Sequence, residues 1–315
     1  MIDSFRASVR RASDKGVLVW LLAVLLAVQA TAVTEFFLTG RNISNLGGQM
    51  VPLGLASLGQ MAAILAGTID LSVGATARLA ALLTAGLIND DPGRMVWAIM
   101  AVLAIAAVIG LANGMMVVKA DFNPLIATLI SFTVLRGIAL AYTQEPIGGI
   151  PFDVTQYLYE TFIGIPYPAW GFLLLAVGMA VLLGRTRFGR SAYAVGGDDE
   201  VARRAGVAVG WVRIRMMMLC SVFAGLAGIA LAFRQGVGDP RVAEGLELTS
   251  IVAVVVGGVS IFGGRGNVWG VVGGVMFLSV LRNVMNLQGV EPLFQGVVTG
   301  VLIILAVVVF SRRER

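Results

Sequence analysis

The stretch VWAIMAVLAIAAVIGLANGMMVV, residues 96–118, contains no charged side chain. Because an α-helix rises about 1.5 Å per residue, an apolar run of this length crosses a hydrocarbon layer of about 30 Å. Similar runs recur along the 315 residues, of which 58% are hydrophobic and only 13% charged. A soluble domain of average composition carries about 25% charged residues. The sequence therefore predicts an all-α polytopic membrane protein, since continuous runs rather than alternating ones exclude a membrane barrel.

The apolar runs predict about ten transmembrane or re-entrant helices. The segment 248–262 is short for a full crossing, so we expect it to be re-entrant or packed inside the protein. These helices form one predicted transmembrane domain, residues 17–310, between an N-terminal segment, 1–16, and a tail, 311–315. The predicted spans are 17–36, 49–66, 71–88, 96–118, 124–143, 168–185, 212–233, 248–262, 267–286 and 293–310.

Charge is distributed unevenly between the connections. Basic residues concentrate in the N-terminal segment, in residues 185–215 and in the tail, whereas residues 144–168 contain no Lys or Arg. Because cytoplasmic connections of membrane proteins are enriched in Lys and Arg, we predict that both termini are cytoplasmic and that 144–168 lies outside. This distribution also accounts for the net charge of +5 without a nucleic-acid partner.

Several classes of function are disfavoured by what the sequence lacks. There is no histidine and a single cysteine, Cys220, which argues against an intrachain disulfide, a metal or haem site and histidine-based catalysis. No GxxxxGK[ST] nucleotide-binding signature occurs. We predict a chain that is not an enzyme and binds no metal or cofactor, so energised transport must draw on a gradient or on another subunit.

The middle basic connection, residues 186–211, contains a predicted short helix in DDEVARRAGV. Acidic residues in its first turn and arginines near its end complement the helix dipole, and a glycine ends it. One interpretation is a solvated loop whose arginines only set the topology. The other is a helix that docks into a cytoplasmic partner, with the residues Asp198, Asp199, Glu200, Val201, Ala202, Arg203, Arg204, Ala205 and Gly206.

The stretch AGTIDLSVGA, residues 66–75, places Asp70 in an apolar setting where Arg78 is the nearest other ionisable group. We expect Asp70 or Ser72 to cap a helix that begins near Leu71, an interaction typically contributing about 0.5–2 kcal/mol. Contact with a polar substrate and coupling to an ion or proton are the alternatives for Asp70.

Two further groups of residues are candidates for helix packing or for a polar pathway. Glycines at four-residue steps favour a close helix crossing: Gly266, Gly270 and Gly274. Polar side chains inside predicted spans line a translocation path, form hydrogen bonds between helices or extend to the membrane interface: Arg136, Arg282, Asn283 and Asn286.

Four blocks of the sequence together resemble the ribose/xylose/galactose-type permeases of bacterial ABC importers. GRSAYAVGGDDEVARRAGV, residues 189–207, is similar to the pattern GRxxYAxGGNxxAARxxGI of that family, with Asp198 in place of the usual Asn. Residues 64–85, 123–143 and 253–290 resemble the other family blocks in the same order. Residues 144–151, QEPIGGIP, depart from the family pattern.

The resemblance implies the permease subunit of an ATP-driven importer that moves a monosaccharide or a similar small hydroxylated solute into a bacterial cell. It implies these partners: a second permease subunit, identical or different, a cytoplasmic ATPase dimer that uses the ATP, an external solute-binding protein and the lipid of the plasma (inner) membrane. It also implies that residues 186–211 form the segment coupled to the ATPase. The alternative is a gradient-driven secondary transporter of a small polar solute.

Overall fold

The computed structural model describes residues 17–291, 293–298 and 300–301. The helices, numbered in chain order, are α1 (Val17–Val33), α2 (Gly40–Leu65), α3 (Val73–Ile88), α4 (Met95–Val118), α5 (Pro124–Tyr142), α6 (Phe152–Tyr157), α7 (Tyr167–Arg185), α8 (Arg187–Gly197), α9 (Asp199–Arg204), α10 (Val209–Gln235), α11 (Leu246–Val256) and α12 (Val268–Leu287). A 3-10 turn, Pro92–Arg94, precedes α4. Between α6 and α7, strands β1 (Thr161–Phe162) and β2 (Ile165–Pro166) form a small antiparallel hairpin.

The length and composition of the helices agree with a multi-pass membrane protein. Among the described residues, six helical segments are long and apolar enough to cross a membrane: Gly40–Leu65, Pro92–Val118, Pro124–Tyr142, Tyr167–Arg185, Val209–Gln235 and Val268–Leu287. Shorter apolar helices occupy Val19–Val33, Val73–Ile88 and Leu246–Val256. The prediction of an all-α membrane protein is confirmed, while the count of about ten spans stays a prediction.

Some predicted elements lie outside the described residues. They are the N-terminal segment 1–16, the tail 311–315 and most of the tenth span, 293–310, of which only 293–298 and 300–301 are described as helical. The bounds of the single transmembrane domain therefore also stay predictions.

Helices α2 and α10 form the centre of the bundle, and α10 packs against α2, α3 and α4. Small residues permit this close packing. A Cβ atom on Gly59 of α2 would lie 2.7 Å from the carbonyl oxygen of Cys220 on α10, and one on Gly110 of α4 would lie 2.6 Å from the Cα of Met218. The backbones consequently approach each other too closely for any larger side chain at these positions.

Two elements differ by six residues or more from their predicted bounds, and the other helices differ by three residues or fewer. Helix α2 begins at Gly40 rather than at residue 49, because Thr39 caps it by accepting a hydrogen bond from the N–H of Asn42. Helix α11 ends at Val256 rather than at residue 262, and glycines with positive φ form the turn that follows, Gly263 at 94° and Gly264 at 67°.

The three predicted packing glycines separate into two environments. On α12, Gly274 contacts the carbonyl oxygen of Ala253, and a Cβ atom on Gly257 would lie 2.6 Å from the carbonyl oxygen of Gly270. Gly270 and Gly274 thus lie at a close crossing of α11 and α12. Gly266 does not belong to this ridge, because α12 begins only at Val268, after Asn267 has capped it.

The chain brings its connections to two opposite ends of the bundle. At one end, the N–H of Gly264 donates to the carbonyl oxygen of Leu65 at 3.1 Å, which joins the turn after α11 to the turn after α2. At the other end, Ile147 and Gly238 form an antiparallel bridge that joins residues 143–151 to the end of α10. We call these the coupling end and the opposite end.

Candidate functional site

Asp70 lies fully buried in the turn between α2 and α3, residues 66–72, which we call the Asp70 turn. Its Oδ1 accepts hydrogen bonds from the N–H of Ser72 at 2.8 Å and from the hydroxyl of Ser72 at 2.6 Å. Helix α3 begins at Val73, not near Leu71, and Ser72 makes no side-chain capping bond. Asp70 therefore orders the turn that precedes the helix rather than capping the N–H groups of its first turn.

The Asp70 turn is joined to α4 and α5 by neutral polar side chains. Asn113 of α4 donates to the Ser72 hydroxyl at 2.9 Å, and Ser131 of α5 donates to the side-chain oxygen of Asn113. Thr128 of α5 accepts a hydrogen bond from the N–H of Leu71 at 3.1 Å. Sequence reasoning missed these three residues, although each is a polar residue inside an otherwise apolar run.

Helices α2 and α10 complete the surroundings of Asp70. With its amide assigned so that both polar atoms find a partner, the Gln60 side chain on α2 pairs with the backbone of Asp70, donating to its carbonyl oxygen at 2.9 Å and accepting from its N–H at 3.2 Å. The Cys220 thiol of α10 faces the Asp70 carboxyl group. Within the described part of the chain, the second carboxyl oxygen, Oδ2, has no hydrogen-bond partner. Helices α2, α4, α5 and α10 therefore all meet the start of α3 at this one buried group.

The predicted short helix is present as α9, Asp199–Arg204, within the segment 186–211, which we call the coupling segment. The carboxylate of Asp198 accepts hydrogen bonds from the N–H groups of Glu200 at 2.9 Å and Val201 at 3.0 Å. Gly206 follows the helix with a φ of 81°. Ala202 is buried while Val201 is exposed, so one face of α9 packs on the protein and the other faces away from it.

Arg213, the fifth residue of α10, attaches α9 to the Asp70 turn. Its guanidinium group forms an ion pair with Asp199 at 2.6 Å and donates from Nε to the carbonyl oxygen of Ala66 at 3.2 Å. Sequence analysis counted Arg213 only among the basic residues of the loop. Its role needs the tertiary structure, because Ala66 lies 147 positions away.

Helix α8 makes a second attachment at the coupling end. The hydroxyl of Tyr193 donates to the carbonyl oxygen of Gly266 at 2.9 Å, and burial raises the pKa of Tyr193 above its ordinary value. Gly196 contacts the carbonyl oxygen of Leu65 and the N–H of Gly264 so closely that it has no room for a side chain. The coupling segment is thus held to the turns after α2 and after α11.

The polar residues predicted on α5 and α12 do not join the Asp70 cluster. Asn283 and Asn42 form reciprocal side-chain hydrogen bonds of 3.0 and 2.9 Å, which link α12 to α2. Asn286 accepts a hydrogen bond from Gln295 at 2.7 Å. These contacts agree with the interhelical interpretation of the two asparagines, and their place in a translocation path stays a prediction.

The two arginines have different surroundings. Arg136 is exposed on α5, where the neighbouring side chains Val134 and Ile138 are exposed as well. Arg282 is exposed toward the opposite end and shares a small cavity with Arg234 of α10.

No cluster of three or more His, Cys, Asp or Glu side chains able to hold a metal ion occurs in the described ranges. The fold and the site together define a multi-pass helical membrane protein whose short capped helix is tied to a buried turn of the bundle. The chain belongs to a family of transport permeases, because residues 42–307 match the family described as "Branched-chain amino acid transport system / permease component".

Curated relatives extend over nearly the whole chain. The ribose import permease protein RbsC of Bacillus subtilis (strain 168) is 39% identical over 298 residues, covering 92% of this chain and 91% of the relative. The protein of the same name from Escherichia coli (strain K12) is 34% identical, with 93% and 92% covered. The L-arabinose transport system permease protein AraH of Escherichia coli (strain K12) is 36% identical, with 93% and 90% covered.

The family description names branched-chain amino acids, whereas the names of these three relatives specify ribose and L-arabinose. No solved structure matches this chain significantly. The predicted membership in a permease family is confirmed.

Proposed function

We propose that this chain is the permease subunit of an ATP-driven importer for a monosaccharide or a similar small hydroxylated solute. The observation that carries the proposal is the attachment of α9 to the Asp70 turn through Arg213. The similarity to permeases named for ribose and arabinose import supports the class of solute. In this proposal the chain lowers the barrier to translocation and performs no covalent chemistry.

The ATP is bound and hydrolysed by a separate cytoplasmic ATPase dimer. This dimer binds the coupling segment of each of two permease subunits. Movement of α9 acts on the carbonyl oxygen of Ala66 through the Arg213 side chain. Because the buried contacts of Asp70 hold the adjoining turn rigid, that movement shifts α2 and α3 relative to each other rather than deforming the turn. An external binding protein delivers the solute to the opposite end.

This function sets the orientation of the chain in the bacterial inner membrane. The coupling end is cytoplasmic, as are both termini, and about ten spans cross or enter the bilayer. The basic coupling segment and the acidic, Lys- and Arg-free segment 144–168 support this orientation, since they lie at opposite ends of the bundle.

A gradient-driven secondary transporter is the second candidate. It requires a buried carboxylate that exchanges an ion, and Asp70 is fully buried with one oxygen that has no hydrogen-bond partner among the described residues. It gives no reason for α9 and its attachment, and the similarity to permease components of transport systems favours the ATP-driven function.

The two candidates differ in their energy source, which solute uptake measures directly. We expect proteoliposomes containing the chain, its ATPase and its binding protein to accumulate a labelled sugar from a panel only when ATP is enclosed with the ATPase. Uptake by the chain alone along a proton gradient, at the same rate without nucleotide, would contradict the proposal and support the second candidate.

A further inference from the structure

A small cavity at the opposite end of the bundle carries two positive charges, and we call it the arginine cavity. Its volume is about 70 Å³, and it lies between α2, α10, α11 and α12. Its polar lining consists of Gln49, Arg234, Thr249, Ser279 and Arg282, and none of its described lining residues is a carboxylate. These residues therefore offer hydrogen-bond donors and positive charge but no counter-charge.

Arg234 and Arg282 line the same small cavity although they come from different helices. Neither Arg234 nor Arg282 belongs to an ion pair with another described residue. Both arginines are exposed at the opposite end, so their charges can be reached from outside the bundle. Two exposed arginines that share one cavity, with no ion-pair partner among the described residues, are well placed to receive a negatively charged group from outside the chain.

Arginine is suited to this task because its planar guanidinium group donates two parallel hydrogen bonds to a carboxylate or a phosphate. A neutral sugar needs only the neutral donors and acceptors that Gln49, Thr249 and Ser279 supply. We infer that the arginine cavity binds the oxyanion of the cargo, and that the cargo is a hydroxylated solute bearing a carboxylate or a phosphate group. This inference rests on the proposed function, because it specifies the class of solute that the importer carries.

The dimensions of the cavity agree with this assignment. A site holds one water molecule when it offers roughly 10–15 Å³ of such volume, so about 70 Å³ accommodates a single oxyanion but not a whole sugar. Arg234 also lines a neighbouring, larger cavity of about 260 Å³, whose other lining residues are mostly apolar. The arginine cavity therefore holds the oxyanion alone, and the hydroxylated part of the cargo extends beyond it.

Equilibrium binding to the full-length chain in lipid nanodiscs tests the inference with three probes: D-ribose, D-ribonate and D-ribose 5-phosphate. We expect at least one of the two anions to bind about tenfold more tightly than ribose, the difference that a charge-assisted hydrogen bond typically supplies. Arg282→Gln and Arg234→Gln should each remove this preference, and Arg282→Lys should retain part of it because the charge remains. Tighter binding of ribonate would indicate a carboxylate cargo, and tighter binding of ribose 5-phosphate would indicate a phosphate cargo.

The matched control is Arg241→Gln, an exposed arginine at the same end that does not line the cavity. It should leave the preference unchanged, and thermal unfolding of every variant shows whether it is folded. Equal affinity for all three probes, or a preference that survives both substitutions to Gln, would overturn the inference. The inference would also be overturned if the Arg→Gln variants bound the solute-binding protein more weakly but kept the preference for the anions. In that case the arginines would contact an acidic surface of the binding protein.

The same three solutes separate this inference from the proposed function. ATP-driven uptake of ribose with no preference for either anion overturns the inference and leaves the importer intact. Failure of the ATPase and binding protein to drive uptake of any sugar from the panel, neutral or anionic, contradicts the importer itself.

Discussion

Two charged groups of residues at the two ends of the bundle, around Arg213 and around Arg234, are satisfied in different ways. At the coupling end, the carboxylate of Asp70 is held by Ser72, and Arg213 is paired with Asp199 and with a backbone carbonyl oxygen. At the opposite end, Arg234 and Arg282 face a shared cavity without an ion-pair partner among the described residues. Charged groups that pair within the chain hold a fixed geometry, whereas charged groups without such a partner are available to bind a ligand. The difference suggests that one end transmits movement and the other exchanges solute.

The largest effect is expected where backbones touch at the coupling end. Gly196→Val inserts a side chain against Leu65 and Gly264, where the N–H of Gly264 lies 2.5 Å from the position of a Cβ atom. Because both neighbours are backbone atoms, we expect overpacking to cost more than the usual 1–3 kcal/mol. The yield of folded chain in the membrane and its thermal unfolding measure the loss.

The adjacent Gly197→Val is the matched control, since a Cβ atom at Gly197 meets nothing within 4 Å. Both substitutions change the intrinsic helix propensity by the same amount, so they differ only in the contact with Leu65 and Gly264. Equal yields for the two variants would show that the coupling segment is not seated on the turn after α2.

The Asp70 turn provides the next largest effect. Asp70→Ala leaves the N–H and hydroxyl of Ser72 without their acceptor, and an unsatisfied buried polar group costs about 1–3 kcal/mol. Thermal unfolding in detergent should show this loss. Asp70→Asn keeps one oxygen acceptor, and we expect it to restore most of the stability and most of the ATP-driven uptake.

The Asn variant also distinguishes the two candidate functions. An amide accepts the Ser72 hydrogen bonds but cannot exchange a proton at physiological pH. If a stable Asp70→Asn variant had no uptake, Asp70 would be involved in ion coupling. The coupling end would then do more than transmit movement.

The sequence predicted the helical class and the capped α9 because both depend on local patterns. Apolar runs identify membrane helices, and Asp198 and Gly206 mark the two ends of a short helix within a few residues of each other. The same local reasoning placed Gly266 on a helix ridge, and it left Asn283 open between a path and an interhelical bond.

What the sequence could not supply were the long-range partners. Arg213 contacts Ala66, and Gln60 contacts the Asp70 backbone, only because α2 and α10 pack side by side. Arg234 and Arg282 likewise share a cavity although they come from different helices. Periodicity and composition identify which residues are polar, but only the fold decides which of them meet.

The attachment through Arg213 should affect transport more than stability. Arg213→Gln removes the ion pair with Asp199 and weakens the hydrogen bond to Ala66, while the helices themselves keep their packing. Since the ion pair is partly exposed, we expect a stability change of about 1 kcal/mol or less. Solute uptake should nevertheless fall about tenfold, because a structural misplacement of about 1 Å can cost more than that in rate.

Arg215→Gln is the control for charge, since Arg215 is an exposed arginine on the same helix. Simultaneous measurement of ATPase binding, ATP hydrolysis and uptake identifies the step affected. Normal hydrolysis with reduced uptake supports transmission through Arg213, whereas unchanged uptake would show that movement reaches the bundle by another route.

The smallest effect is expected at the cap of α9. Asp198→Ala removes the acceptor for two backbone N–H groups and should cost about 0.5–2 kcal/mol. Because α9 is short and packs through Ala202 alone among its buried residues, this cost unfolds α9 locally and leaves global stability nearly unchanged. Weaker ATPase binding with an unaltered unfolding temperature is the expected pair of results.

Asp198→Asn separates the cap from the charge of this residue, because asparagine caps helices about as well as aspartate does. We expect it to bind the ATPase like the unsubstituted chain. A loss of ATPase binding as large as that of Asp198→Ala would mean that the carboxylate itself contacts the ATPase. Charge, rather than the fold of α9 alone, would then determine this interface. If both variants retained ATPase binding, the ATPase would instead bind a different part of the coupling segment. The proposal that one end transmits movement and the other exchanges solute would then lose its main support.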